Sequence, residues 1–238
     1  MNTWIFAGLC DKSDTLTYIC KILASEGSKV LLVDATEKRK YPYVIGGLGE
    51  RLCITEIAGF DVACGFGDSA GLKDYLQSHG GSLEHYDYVI YDLELIGFCS
   101  QEDWVCASAL FWVTDYEIWT LEEGRIWLEE AVKRHFPQGV IPEMRQVVVR
   151  AVDEWFGRSY LEGYFERLPV SWSWEPIILP WNELDFSLKL KNEHMKRIHM
   201  KALTRGYKKQ LCGIIQTITD WDRKRLHRAL RNAERSRA

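Results

Sequence analysis

Thr3-Trp4-Ile5-Phe6-Ala7-Gly8-Leu9-Cys10-Asp11-Lys12-Ser13-Asp14-Thr15 opens the reading of this chain, and Lys29-Val30-Leu31-Leu32-Val33-Asp34 completes it. The first stretch is a short apolar run that ends in Gly8 and gives way to a polar loop. Over residues 15–24, Leu16, Ile19, Cys20 and Leu23 recur at i, i+3, i+4, i+7, the spacing of an amphipathic helix. Gly27 is a natural stop. The second stretch is apolar without alternation, which predicts a strand buried on both faces and ending on Asp34. Strand, loop, helix and buried strand in this order make a βαβ unit, with parallel pairing and a right-handed crossover.

The same alternation runs through the chain. Residues 60–65, 86–91 (ending on Asp92), 109–114, 146–151 and 176–179 read as strands. Residues 70–77, 121–135, 201–218 and 222–237 read as helices, while 41–59 is Gly-rich and carries no clear period. The fold class expected is therefore α/β, a doubly wound and mainly parallel sheet with C-terminal helices. The expected division is an α/β domain over 1–219 and a basic amphipathic helix over 220–238.

Composition bounds the function. The 238 residues are 47% hydrophobic and 27% charged, which excludes disordered, collagenous and coiled-coil classes. The apolar stretch 106–114 is far short of the ~20 residues that cross a bilayer. The start lacks a basic n-region and cleavage site, so the expected location is cytoplasmic. Seven Cys without a C-x-x-C spacing are expected to be small core residues rather than a disulfide framework or zinc site. Six scattered His, with His194 and His199 off the i, i+4 spacing, offer no metal motif.

The net charge of −4 conceals a segregation. Residues 189–238 carry 15 Lys/Arg and 4 Asp/Glu, whereas the 188 before them carry 15 and 30. Over 222–237, seven Arg/Lys surround a thin stripe of Leu226, Ala229, Leu230 and Ala233. Arg223, Lys224, Arg225, Leu226, Arg228, Leu230 and Arg231 are the residues expected to meet an anionic membrane or another anionic partner. A solvated helix lying on its own body is the plainer alternative. Nucleic acid stands behind membrane and acidic protein, because nothing here reads bases.

In doubly wound folds ligands sit at the carboxyl ends of the strands, and the first βα loop is the usual phosphate cradle. A P-loop needs G-x-x-x-x-G-K-[ST], for backbone N–H groups facing phosphate, a neutralising Lys and a hydroxyl on Mg²⁺. Counted from Gly8, the hydroxyl position is Thr15, Ser13 replaces the second Gly and Asp14 replaces the Lys. A second register makes Lys12-Ser13 the Lys-hydroxyl pair, with Phe6 and Asp11 on the glycine positions. In the first register, Asp beside the β/γ-phosphates turns attraction into repulsion. Each unit charge there is worth about 4 kcal/mol at ~4 Å and an effective dielectric near ~20.

With these residues in order, the chain resembles the ParA/MinD group of P-loop ATPases, including its TadZ/CpaE-type pilus and polarity members. The resemblance rests on the opening strand and loop, on Lys29-Val30-Leu31-Leu32-Val33-Asp34, on Tyr86-Asp87-Tyr88-Val89-Ile90-Tyr91-Asp92 and on Ile177-Ile178-Leu179-Pro180, and it covers roughly 3–218. It implies a switch acid at Asp34, a Walker B acid at Asp92 and a cofactor set of ATP with Mg²⁺. Gly8, Lys12, Ser13, Thr15, Asp34 and Asp92 would hold the nucleotide, with Thr15 and Asp92 on Mg²⁺. It further implies a homodimer, a protein partner in a pilus, secretion or polarity system, and a place at the inner face of the cell membrane. The departures are Leu9 at the family's second P-loop lysine, Asp14 at its Walker lysine and Arg150 at its adenine-reading Asn. A non- or weakly hydrolysing localisation or assembly scaffold is the leading expectation. An ATP hydrolase with an unusual loop is the alternative, and a P-loop-like small-molecule transferase is another. In the last, Trp112, Trp119, Trp172, Trp174 and Trp181 would line an acceptor pocket; core and rim packing is the ordinary use of such aromatics.

Overall fold

The computed structural model describes residues 1–46, 53–152, 158–173 and 175–236. In chain order the elements are β1 (Asn2–Ala7), α1 (Ser13–Ala24), β2 (Val30–Ala35), α2 (Tyr41–Ile45), β3 (Cys53–Ile57), β4 (Phe60–Cys64), α3 (Ser69–Ser78), β5 (Tyr88–Leu93), α4 (Gln101–Val105) and β6 (Ala109–Thr114). There follow α5 (Ile118–His135), β7 (Glu143–Ala151), α6 (Arg158–Phe165), β8 (Ser171–Trp172), β9 (Ile177–Pro180), α7 (Glu183–Met195), α8 (Arg205–Ile218) and α9 (Arg223–Arg235).

The strands form one sheet in the order β3-β4-β2-β5-β1-β6-β7-β8, with β9 also on β7. Every pairing is parallel except β3 with β4. The doubly wound α/β expectation is met. The antiparallel edge hairpin was not expected; its turn passes through Ala58 and Gly59, both at positive φ.

Central strands are buried on both sides, so successive residues feed two different cores. Trp4 and Phe6 of β1 face a layer built from α1, α8 and α9, whereas Ile5 and Ala7 face the layer of α3, α4, α5 and α6. Phe6 stacks on Phe111 across β1 and β6 at 4.3 Å between ring centroids. Cys10, Cys20, Cys64 and Cys99 are buried, as expected of core residues, whereas Cys212 is half-buried and Cys106 is exposed.

The C-terminal helix belongs to the same core. Leu226, Ala229 and Ala233 are buried with Trp221 among residues of α1 and α8, and Leu230 packs against them. Lys21 of α1 is itself buried and donates from Nζ to the carbonyls of Ile198, at 2.5 Å, and Ser236, at 3.3 Å. Burial pushes the Lys21 ammonium down to about 8. No helix among the described residues is long and apolar enough to cross a membrane.

Candidate functional site

The carboxyl ends of β1, β2, β5, β6 and β7 converge on the loop 8–12. Gly8 closes β1 and donates its N–H to Leu93 O at 3.1 Å. Its φ is +150°, and a Cβ there would stand 1.9 Å from Val113 O. Only glycine lets the loop pass so close to the end of β6.

Helix α1 starts at Ser13, with Lys12 in the capping position. The second register is thus the one the helix follows: Lys12 and Ser13 stand at its mouth. Ser13 N–H and Oγ–H both donate to Asp11 Oδ1, at 3.2 and 2.8 Å. The partial positive end of a helix is where P-loops receive phosphate; here the carboxylate of Asp11 takes that place. Lys40 Nζ and Lys189 Nζ lie 3.1 and 3.4 Å from the same carboxylate. Burial works to raise its pKa, but the two ammonium groups and the Ser13 hydroxyl outweigh it and hold Asp11 well below the usual carboxylate range.

Lys12 is 1% exposed, and its ammonium turns inward. Nζ donates to Gly8 O at 2.8 Å and lies 2.7 Å from Asp92 Oδ1. Burial disfavours its charge, yet the Asp92 carboxylate more than compensates and holds Lys12 above its ordinary pKa. The other oxygen of Asp92 accepts from the Tyr41 hydroxyl at 2.8 Å. Asp34 stands beside Asp92 on the neighbouring strand. Its Oδ1 accepts from Thr36 N and Oγ1, while its Oδ2 is buried near the Tyr41 backbone N–H with no well-formed hydrogen bond among the described residues. Burial, with the neighbouring Asp92 charge, raises the Asp34 pKa despite the two Thr36 bonds.

Thr15 differs from expectation. One turn inside the helix, its hydroxyl pairs with Tyr207 Oη at 2.8 Å, and Tyr207 also donates to Asp14 Oδ2 at 3.2 Å. These groups fasten α1 to α8. Asp14 is thereby removed from the position of a Walker lysine, and Thr15 from that of a Mg²⁺ hydroxyl; Ser13 is the hydroxyl at the helix mouth. Of the candidate nucleotide residues, the fold brings Gly8, Lys12, Ser13, Asp34 and Asp92 together and turns Thr15 away.

Arg150 closes the other side. A bulge between Val148 and Ala151 interrupts the pairing of β7 with β9, and Arg150 adopts a left-handed φ of +52°. The irregularity re-aims its side chain. The guanidinium donates to Asp11 O at 3.0 Å and Asp115 Oδ2 at 2.5 Å. Beside it, a cavity of about 30 Å³ is lined by Asp14, Thr15, Arg150, Trp181, Phe186 and Lys189 among others. That is room for about one water. Trp112 is fully buried, Trp172 packs on Phe165, and Trp119 and Trp181 are exposed. Trp174 lies outside the described residues.

As arranged, the Ser13 N–H and hydroxyl at the helix mouth are held by Asp11 and the Lys12 ammonium by Asp92, so an anion reaching this loop would meet groups that already have partners. Lys40, Tyr41, Asp115, Lys189 and Tyr207 were missed in the sequence. Lys40 had one signal, the basic run Lys38-Arg39-Lys40 just after the switch strand; the others come from distant elements that only folding brings in.

At the C-terminal end, Leu226 is in the core and Leu230 lies half-buried on it, so the apolar stripe faces the protein itself. Arg228 forks onto Glu26 with a shortest contact of 2.6 Å, and Arg225 lies over the Trp221 ring, 4.3 Å from its centroid. Arg223, Lys224 and Arg231 are exposed.

The strand order, the phosphate-loop position and the paired acids Asp34 and Asp92 define the fold as that of ParA/MinD-like P-loop ATPases. No family model matches the sequence, and no curated protein matches it significantly. Solved structures do. MinD in the MinC:MinD cell division complex of Aquifex aeolicus superposes with a TM-score of 0.54 at 16% identity, covering 99% of this chain and 95% of its own. A plasmid partition protein of Borrelia burgdorferi bound to AMPPNP gives 0.56 at 12%, covering 91% and 99%. The ParA family ATPase of Chlorobium tepidum gives 0.52 at 12%, covering 99% of both. At these identities the likeness is one of fold.

Proposed function

We propose that this chain is a non-hydrolysing ParA/MinD-like scaffold for localisation or assembly, whose degenerate phosphate loop is filled from within. The observation that carries the reading is the Asp11 carboxylate on the Ser13 N–H at the mouth of α1, together with the buried Lys12–Asp92 pair. Asp11 supplies the anion that a nucleotide would otherwise bring. The face that carries the loop is then free to serve a symmetric dimer. MinD of Aquifex aeolicus is seen in complex with MinC, and by analogy a protein of a pilus, secretion or polarity system is the partner we assign to this chain. Its place is cytoplasmic. Attachment at the inner face of the membrane would run through charge, on Arg223, Lys224 and Arg231, because Leu226 is committed to the core. Phosphates of nucleic acid would meet the same charges.

One observation favours the ATPase alternative: Asp34 Oδ2, buried beside Asp92 with no well-formed hydrogen bond among the described residues, is an acceptor suited to the water shell of Mg²⁺. Calorimetric titration with Mg-ATP separates the two. We expect no heat at millimolar ATP and no phosphate release, with measurable binding gained in Asp11→Gly. Micromolar binding by the wild type, abolished in Lys12→Ala, would establish the ATPase instead.

A further inference from the structure

The charge segregation noted in the sequence becomes two complementary surfaces on opposite sides of the sheet. Helix α5 buries Leu121, Trp127, Leu128, Ala131 and Val132 in the layer it shares with α4 and α6. Its other face presents Ile118, Trp119 and Ile126, which are 60%, 58% and 49% exposed. Glu122, Glu123 and Glu130 stand among them, exposed and without an ion pair among the described residues, while toward the C-terminal end of the same side Lys133 is paired with Glu129 and Arg134 is exposed. At 100° per residue Ile118, Trp119, Glu122, Glu123, Ile126 and Glu130 share one side of the helix. An acidic face with large apolar side chains at its centre is unusual on a surface left to solvent.

Helices α8 and α9 lie on the other side of the sheet and make a matching groove of about 590 Å³. Its floor is Leu230 and Cys212, both half-buried above the buried Leu226, and Arg205, Lys209 and Arg223 edge it. Lys208 in the same wall is neutralised by Glu234 at 2.5 Å; the other three have no ion pair among the described residues. The volume is that of a ligand pocket, ~300–1,000 Å³, and admits the Trp119 indole with an isoleucine beside it.

We infer that the chain assembles head to tail, the acidic apolar face of α5 in one copy seating in the basic groove between α8 and α9 of the next. The pairing is heterologous, so each copy added leaves one free face and one free groove, and the array stays open instead of closing as a dimer. Three carboxylates meet three cations around an apolar centre, which gives both area and register. The first turn of α5 follows Asp115, which holds Arg150 beside the phosphate loop, so assembly is tested in the absence of nucleotide.

Sedimentation velocity of the full chain without nucleotide tests it. At about 0.05 M salt the mean mass should climb with concentration past that of a dimer, and at about 0.5 M the growth should collapse as screening shortens the reach of the charges. Glu122→Lys with Glu123→Lys makes α5 repel the groove, and Lys209→Glu with Arg223→Glu makes the groove repel α5. Each double variant alone should stay small, and an equimolar mixture should grow again, because each supplies the surface that complements the other. Trp119→Ala, which leaves the charges untouched, should weaken association about tenfold. The inference is overturned if the wild type holds one mass or stops at a dimer, or if its growth ignores salt. It is also overturned if either double variant assembles as the wild type does, if the mixture stays small, or if Trp119→Ala leaves association unchanged.

Discussion

Lys12 and Asp92 show how one ion pair divides two readings of the loop. Removing one partner of a buried pair leaves a desolvated charge, typically at a cost of about 3–5 kcal/mol. Asp92→Asn should therefore lower folding stability by about 3 kcal/mol in denaturant titration without nucleotide. An acid kept only for metal would leave stability nearly unchanged. Lys21 provides a second test. Its pKa is about 8 in the folded chain and near its ordinary 10.5 when unfolded, so between these values the unfolded state binds more protons and stability rises with pH. Buried Cys and Tyr groups push the other way above pH ~9. The comparison that isolates Lys21 is with Lys21→Met. Wild-type stability relative to that variant should rise from pH 8 to pH 10, and a flat difference would refute the assignment.

Elements with uniform apolar runs were legible from the start: β1, β2, β5, β6, β7 and β9 fall within a few residues of their expected bounds, as do α1, α3, α5, α8 and α9. Helix α7 was not, for a visible reason. It exposes Leu184, Phe186 and Leu190 and buries Asp185 and Asn192, so its polarity runs against the usual rule. Asp185 is buried because it accepts from Thr204 N and Oγ1, at 2.7 and 2.6 Å, at the start of α8. Strand β3 was missed because its hairpin turns at Ala58-Gly59, without the Asn-Gly or Asp-Gly signal of such turns. The loop register was legible only as two alternatives, and the bond from Asp11 to Ser13 decided between them by starting the helix there. Gly8→Ala should cost at least ~3 kcal/mol, since the neighbouring atom is backbone and cannot move aside. Leu226→Ala should cost about 3 kcal/mol; a tail held off the body would make it neutral.

At the scale of the whole molecule, the boundary expected at 219 matches neither charge nor packing, since the basic stretch begins at Lys189. Trp221, Leu226, Ala229 and Ala233 close the same core that α1 opens. Deleting 220–238 should lower Tm by about 10 °C or more, on the order of 2–4 °C per kcal/mol for a domain of this size. Unaltered melting of 1–219 would show that the last helix is an appendage.

The contact between Lys21 and the Ser236 carbonyl bears on how the protein is made. Helix α1 is covered by α9, which is made long after it, so part of its apolar side waits uncovered while the segment between them is translated. Pairing two helices so far apart in sequence closes a long loop and delays the reward for doing so. A nascent chain in that condition is exposed to aggregation until α9 emerges, and a polypeptide broken off before α9 cannot cover α1.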